Sequence, residues 1–191
     1  FAKLTLAKTI EGLSNYCKTI DPDMIIVHGD RVETLAGAIV GSLNNILVAH
    51  IEGGEVSGTV DELIRHSVSK LSHIHFVSNK QAAKRLIQMG EIKESVFTIG
   101  SPDLDIMFSD QLPDLVTVKE YYKIDFENYA IVMFHPVTTE IKEMQKYAEN
   151  FVSSLLQDNH NYIVIFPNND LGSQFILDSY QKLIQNTRFR I

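Results

Sequence analysis

The sequence predicts an α/β fold with parallel sheets, divided into two units. Three observations carry that prediction. Amphipathic stretches at helical spacing alternate with short continuous apolar runs such as Met24-Ile25-Ile26-Val27, the mark of strands buried on both faces. Polar residues and glycines cluster directly after the apolar runs. The alternation breaks once, over residues 103–125, and then restarts.

In order, Leu4, Ala7, Ile10 and Leu13, and less cleanly Tyr16 and Cys17, recur at helical spacing, so residues 2–18 read as a helix. Asp21-Pro22-Asp23 breaks it, and the strand 24–27 follows. His28-Gly29-Asp30-Arg31 turns the chain into an Ala-, Leu- and Ile-rich helix over 32–43, which Asn44-Asn45 ends. A strand over 46–51 runs into the loop Glu52-Gly53-Gly54-Glu55-Val56-Ser57-Gly58. Residues 61–71 read as a helix with Asp61 as N-cap or first-turn acid. A strand over 73–77, a helix capped by Ser78-Asn79 and running to about Met89, and a strand over 96–99 complete the first unit, placed at 1–110. Such alternation implies parallel strands with right-handed crossovers. Pro102 and Pro113 flank the break, read as a linker. In the second unit, placed at 118–191, strands are expected over 129–134 and 162–166, helices over 139–156 and 171–185, and a further strand opening at 187–191.

The chain has 191 residues, 45% of them hydrophobic, and a net charge of -7. This is a globular composition, and with no basic stripe to neutralise phosphates it argues against nucleic acid and anionic membranes as partners. Cys17 is the single cysteine, so no intrachain disulfide forms, and a reducing cytoplasm fits. No apolar run approaches the roughly 20 residues of a spanning helix. No signal peptide is expected either. The chain opens on Phe1 and stops at the start of a strand, as expected for the middle of a longer protein.

In open parallel sheets, ligands bind beyond the carboxyl ends of the strands. Those ends carry His28-Gly29-Asp30-Arg31, His50-Ile51-Glu52-Gly53-Gly54 and Gly100-Ser101-Pro102-Asp103 in the first unit. In the second they carry His135-Pro136-Val137-Thr138-Thr139 and Pro167-Asn168-Asn169-Asp170. Polar groups so concentrated predict a cleft between the units. Each has a structural rival. Asp61 reads equally as a helix cap and Asp30 less so, Arg65 and His66 as a surface pair, and His135 as a buried, hydrogen-bonded histidine. Glu52 beside two glycines is harder to explain structurally. A metal reading joins His28, Asp30, His50 and Glu52 across two strands, with His73 and His75 on a third. It lacks a compact ligand signature. Neither a Gly-x-Ser-x-Gly elbow nor a glycine-rich phosphate loop occurs.

Val27-His28-Gly29-Asp30-Arg31, the block from His50 to His66 and Phe134-His135-Pro136-Val137-Thr138-Thr139 together resemble the UDP-N-acetylglucosamine 2-epimerase family, in order and spacing, over residues 1–185. The Glu52-to-Thr59 wording resembles its hydrolysing branch, and Asp61 stands where the non-hydrolysing branch has Glu. The resemblance implies two Rossmann-like domains of GT-B type, both incomplete here. The family's N-terminal Gly-Thr-Arg type motif and its C-terminal uridine-gripping region fall outside Phe1 to Ile191. It implies removal of the sugar C2 proton with expulsion of UDP, then addition of water, for sialic-acid-type biosynthesis. No metal and no other cofactor is needed, since UDP leaves by elimination. A UDP-sugar is the implied substrate, and a homo-oligomer the implied assembly. Asp30, Glu52, Asp61 and His135 match the family's catalytic positions, while Arg31, Ser101 and Asn168 are candidates for lining the substrate site. Neighbouring carboxylates are expected to raise one another's pKa and so divide acid from base. The rival readings are a GT-B glycosyltransferase and a non-catalytic sugar-nucleotide-binding module.

Overall fold

The computed structural model describes residues 2–191, and the chain divides into two compact units, Phe1–Leu112 and Pro113–Ile191. The first contains α1 (Ala2–Ile20), β1 (Met24–His28), α2 (Val32–Leu43), β2 (Leu47–Ile51), α3 (Thr59–Lys70), β3 (Ile74–Val77), α4 (Lys80–Gln88), β4 (Val96–Thr98) and α5 (Pro102–Met107). Its four strands form one parallel sheet in the order β1-β2-β3-β4.

Register decides which side chains share a face. His50 lies opposite both Val27 and His75, so these residues, with Val48 and Val77, point to one buried side. Successive crossovers between adjacent strands step one way across the sheet, so α2, α3 and α4 stack on that side. The opposite side is only partly covered within the described residues, Ala49 alone being fully buried among its residues on β1 and β2. Ile26, Leu47 and Phe97 are about half exposed or more, which corrects the expectation of strands buried on both faces. α2 lies close on the sheet because its inner row is small. A Cβ on Gly37 would meet Val27 Cγ1 at 2.7 Å.

The second unit contains α6 (Leu115–Tyr121), β5 (Ala130–Met133), α7 (Met144–Gln157), β6 (Tyr162–Ile165), α8 (Ser173–Tyr180) and β7 (Phe189–Arg190). Its parallel sheet has the order β5-β6-β7. Met144, Ala148 and Val152 of α7 pack with Val132 and Val164 of the sheet and Ile176 and Tyr180 of α8. Arg188 donates to the Leu156 and His160 carbonyls at 3.0 and 3.2 Å, closing the end of α7 against β6.

Three local expectations are corrected. The stretch read as a linker holds two short helices: α5, opened by Pro102 at its first turn, and α6, capped by Asp114, whose carboxylate accepts from Thr117 N at 2.9 Å. α3 begins at Thr59, two residues early, with Gly58 at its N-cap. α7 begins at Met144, five residues late, because Val137-Thr138-Thr139 is β-branched and a 3-10 turn over Thr138–Glu140 comes first. Among the described residues no helix is long and apolar enough to cross a membrane.

Candidate active site

The carboxyl ends of β1, β2 and β4 bring the first unit's polar residues together. Glu52 follows β2 directly, and its N–H still joins the ladder, donating to the Phe76 carbonyl at 2.8 Å. Its φ is +61°, a left-handed conformation that costs a residue with a Cβ on the order of 1 kcal/mol. The carboxylate that this backbone aims is held at both oxygens. Ser101 Oγ donates to Oε1 at 2.5 Å, and His28 Nε2 donates to Oε2 at 2.7 Å. The Ser101 hydroxyl, against the opposing effect of burial, holds the Glu52 carboxyl below its ordinary range, and His28 and Arg65 add to this. Glu52 is thus an ionised acceptor at neutral pH. This corrects the expectation that neighbouring carboxylates raise its pKa: the groups acting on it are the Ser101 and His28 donors and the Arg65 cation, which together outweigh burial.

Asp30 does not cap α2. Arg31 occupies the N-cap position and makes no side-chain cap. The Asp30 carboxylate instead pairs with the Arg65 guanidinium, both side chains being largely buried. Asp61 lies in the first turn of α3, one turn before Arg65 and on the same helix face. Arg65 and His66 are therefore not a surface pair. Arg65 reaches Asp30, and His66 Nε2 stands 3.9 Å from Glu62 Oε1.

In the second unit His135 is exposed, which corrects its reading as a buried histidine. It is nevertheless oriented, since its Nδ1 accepts from Asn168 N at 3.1 Å. Asn168 donates in turn to Asp170 Oδ2 at 2.6 Å. The unit thus joins the loop after β5 to the loop after β6.

The metal grouping does not form. His28 is in register with Ile51 and His50 with Val27, so the two rings leave the sheet on opposite sides. His28 meets Glu52, whereas His50 turns inward to Ser69 Oγ and the Gly29 carbonyl. Among the described residues no three His, Cys, Asp or Glu side chains converge on a metal position. His28 joins Glu52 as a hydrogen-bond partner rather than as a fellow metal ligand, and the Arg65–Asp30 and His50–Ser69 contacts are ones that residue-level reading missed. The available signal was the four-residue step from Asp61 to Arg65, which puts both on one helix face.

His50 has a consequence for stability. Burial lowers its pKa from 6.5 to about 4. Between those values the unfolded chain binds a proton that the folded chain refuses. The stabilisation is complete above 6.5 and is lost as pH falls toward 4, by about 3 kcal/mol for the interval. His75, lowered chiefly by burial, acts in the same direction. So does Glu52, whose contribution disappears as pH falls through its depressed pKa. Urea unfolding followed by circular dichroism is expected to show a clearly lower midpoint at pH 4.5 than at pH 7. Equal midpoints would contradict the burial of a neutral His50.

A family model described as UDP-N-acetylglucosamine 2-epimerase matches residues 2–191. The chain is 55% identical over 177 residues to the UDP-N-acetylglucosamine 2-epimerase of Neisseria meningitidis serogroup B, covering 93% of this chain and 47% of that protein. It is 35% identical over 181 residues to the UDP-N,N'-diacetylbacillosamine 2-epimerase (hydrolyzing) of Legionella pneumophila, covering 94% of this chain and 48% of that one. Its fold is similar to the crystal structure of UDP-GlcNAc 2-epimerase from Neisseria meningitidis bound to UDP-GlcNAc, with a TM-score of 0.81 at 19% identity, over the whole of this chain and 54% of that one. The likeness agrees with the expected α/β architecture of GT-B type. The chain spans about half the length of the curated relatives it matches.

Proposed function

Because the chain belongs to the UDP-N-acetylglucosamine 2-epimerase family, we propose that the protein carrying it is a hydrolysing UDP-N-acetylglucosamine 2-epimerase. The observation that carries the reading is the Glu52 carboxylate held between Ser101 and His28, in the same unit as the Asp30–Arg65 pair. A C–H beside an acetamido carbon is a weak acid, so its removal needs a positioned, ionised base. In the proposed reaction a carboxylate takes the C2 proton, and the C–H electrons become the C1=C2 bond of a 2-acetamidoglucal. The C1–O bond breaks and UDP departs with its electrons. Water then adds across the double bond, and N-acetylmannosamine is released with UDP. Asp30, Glu52 and Asp61 are assigned the proton transfers. His135, oriented by Asn168, is assigned the developing charge of the leaving diphosphate. Arg31 and Ser101 are assigned to the substrate.

The hydrolysing branch is supported by the Glu52-to-Thr59 wording, by Asp61 in place of Glu, and by the name of the Legionella relative. The same proposal sets the reaction in the cytoplasm, in a homo-oligomer. The test is incubation of the full-length protein with UDP-N-acetylglucosamine in deuterated water, with no acceptor present. Free N-acetylmannosamine carrying deuterium at C2 is expected, together with UDP. Product without deuterium at C2 would overturn the epimerase reading, and UDP-N-acetylmannosamine as the sole product would overturn the hydrolysing branch.

A further inference from the structure

His50 is fully buried at the centre of the first unit, yet both its ring nitrogens are engaged. Nε2 lies 2.9 Å from the Gly29 carbonyl, which only accepts, so Nε2 carries the proton. Nδ1 is then the acceptor, and the Ser69 hydroxyl donates to it at 3.0 Å, sharing its one proton with the Arg65 carbonyl in a three-centre bond. Gly29 is therefore gripped by β2 through both of its flanking peptides, because its N–H also donates to the Ile51 carbonyl at 3.0 Å. Gly29 leads directly into Asp30. Ser69 lies on α3 exactly one turn beyond Arg65, with its hydroxyl 3.1 Å from the Arg65 carbonyl, and Arg65 pairs with Asp30. The contacts close a ring: Asp30, Arg65, Ser69, His50, Gly29 and back to Asp30. The loop of Glu52 is seated on the same pair. A Cβ on Gly53 would stand 2.7 Å from His50 Nδ1 and 2.8 Å from Ser69 Oγ.

We infer that His50, with Ser69, is a positioning residue of the proposed reaction: its neutral ring ties the β1 loop, the β2 loop and α3 together, so that Asp30 and Glu52 are set at fixed places. It touches neither substrate nor reacting atoms. The inference rests on the epimerase reading for its kinetic consequence but not for its geometry.

The experiment uses the full-length protein and four forms: wild type, His50→Leu, His50→Gln and Ser69→Ala. His50→Leu keeps an apolar, buried side chain but frees the Gly29 carbonyl. It is expected to lower kcat about 100-fold, the scale of a misplacement near 1 Å, while KM stays within about twofold of wild type. Gln presents an Nε2 donor toward the same carbonyl and is expected to return kcat to within about tenfold of wild type. Ser69→Ala is the milder variant, with a loss of several-fold in kcat alone, and is read if His50→Leu does not fold. Wild-type kcat in folded His50→Leu, or in Ser69→Ala when that variant alone folds, would overturn the inference, as would no rescue by Gln. If wild type incorporates no deuterium at C2, the epimerase reading fails, and the inference is decided by nitrogen chemical shifts of His50 at pH 7. An Nε2–H tautomer with Nδ1 as acceptor sustains it, and an Nδ1–H tautomer overturns it.

Discussion

Glu52→Gln is expected to lower the rate of C2 proton exchange by about 10³-fold, within the range that general acid–base groups supply. The substitution keeps volume and backbone but removes the charge. Both Glu52 oxygens now accept, one from Ser101 and one from His28. A glutamine offers one acceptor and turns an amide N–H2 toward the other partner. The left-handed backbone at +61° is unaffected, so the stability cost is limited to what the Glu52 charge gains from Ser101 and His28. Asp30→Asn is expected to lower the rate by a similar factor, about 10²–10⁴. It also costs stability, about 2–3 kcal/mol, because the largely buried Arg65 guanidinium then faces a neutral partner. Glu52→Gln is therefore the cleaner probe. Deuterium incorporation at C2, measured beside circular dichroism of each variant, separates loss of chemistry from loss of fold. Wild-type exchange in a folded Glu52→Gln protein would remove this carboxylate from the mechanism.

Gly54→Ala is expected to destabilise the first unit by about 2–4 kcal/mol, from a left-handed residue with a Cβ and an overpacked contact together. Gly54 has φ +77°, and a Cβ there would stand 2.5 Å from the Ala82 carbonyl oxygen and 2.9 Å from Leu86 Cγ. Neither neighbour has room to move. Ala82 and Leu86 are fully buried and pack with Val77 beneath α4. The Gly54 carbonyl also accepts from the Arg85 guanidinium, so the loop is fastened to α4 at the point where the methyl would intrude. Gly12→Ala supplies the contrast. Gly12 lies within α1 with nothing near its Cβ position, and alanine there is expected to stabilise by about 0.5–1 kcal/mol. Urea unfolding of both variants checks the pair. A Gly54→Ala midpoint equal to wild type would refute the close docking of this loop on α4.

The βα rhythm was legible because it is local. The apolar run Met24-Ile25-Ile26-Val27 and the capping Asn79 act on their own neighbourhoods. Asn79 accepts from Gln81 and Ala82 N–H groups as its position before α4 requires. The short helices α5 and α6 are equally local, but the two prolines of that stretch mask them. Glu52 stood out for the same kind of reason, as an acid between a strand end and two glycines. Its partners did not stand out. Ser101 lies 49 residues away with nothing near it to announce the contact, and His28, 24 residues away, is legible only as a strand neighbour grouped with Glu52 around a metal.

What the sequence alone determined, then, is the order of strands and helices and the loops on which acids and histidines sit. Those depend on spacing and on caps, which a residue shares only with near neighbours. Tertiary structure alone decided that His28 faces Glu52 while His50 faces inward to Ser69. It also decided that Arg65 meets Asp30, and that the sheet is covered on one side within the described residues. The opposite facing of His28 and His50 follows from the pairing offset between strands, and a slip of one residue would exchange the two faces. That offset is set by packing across the whole sheet.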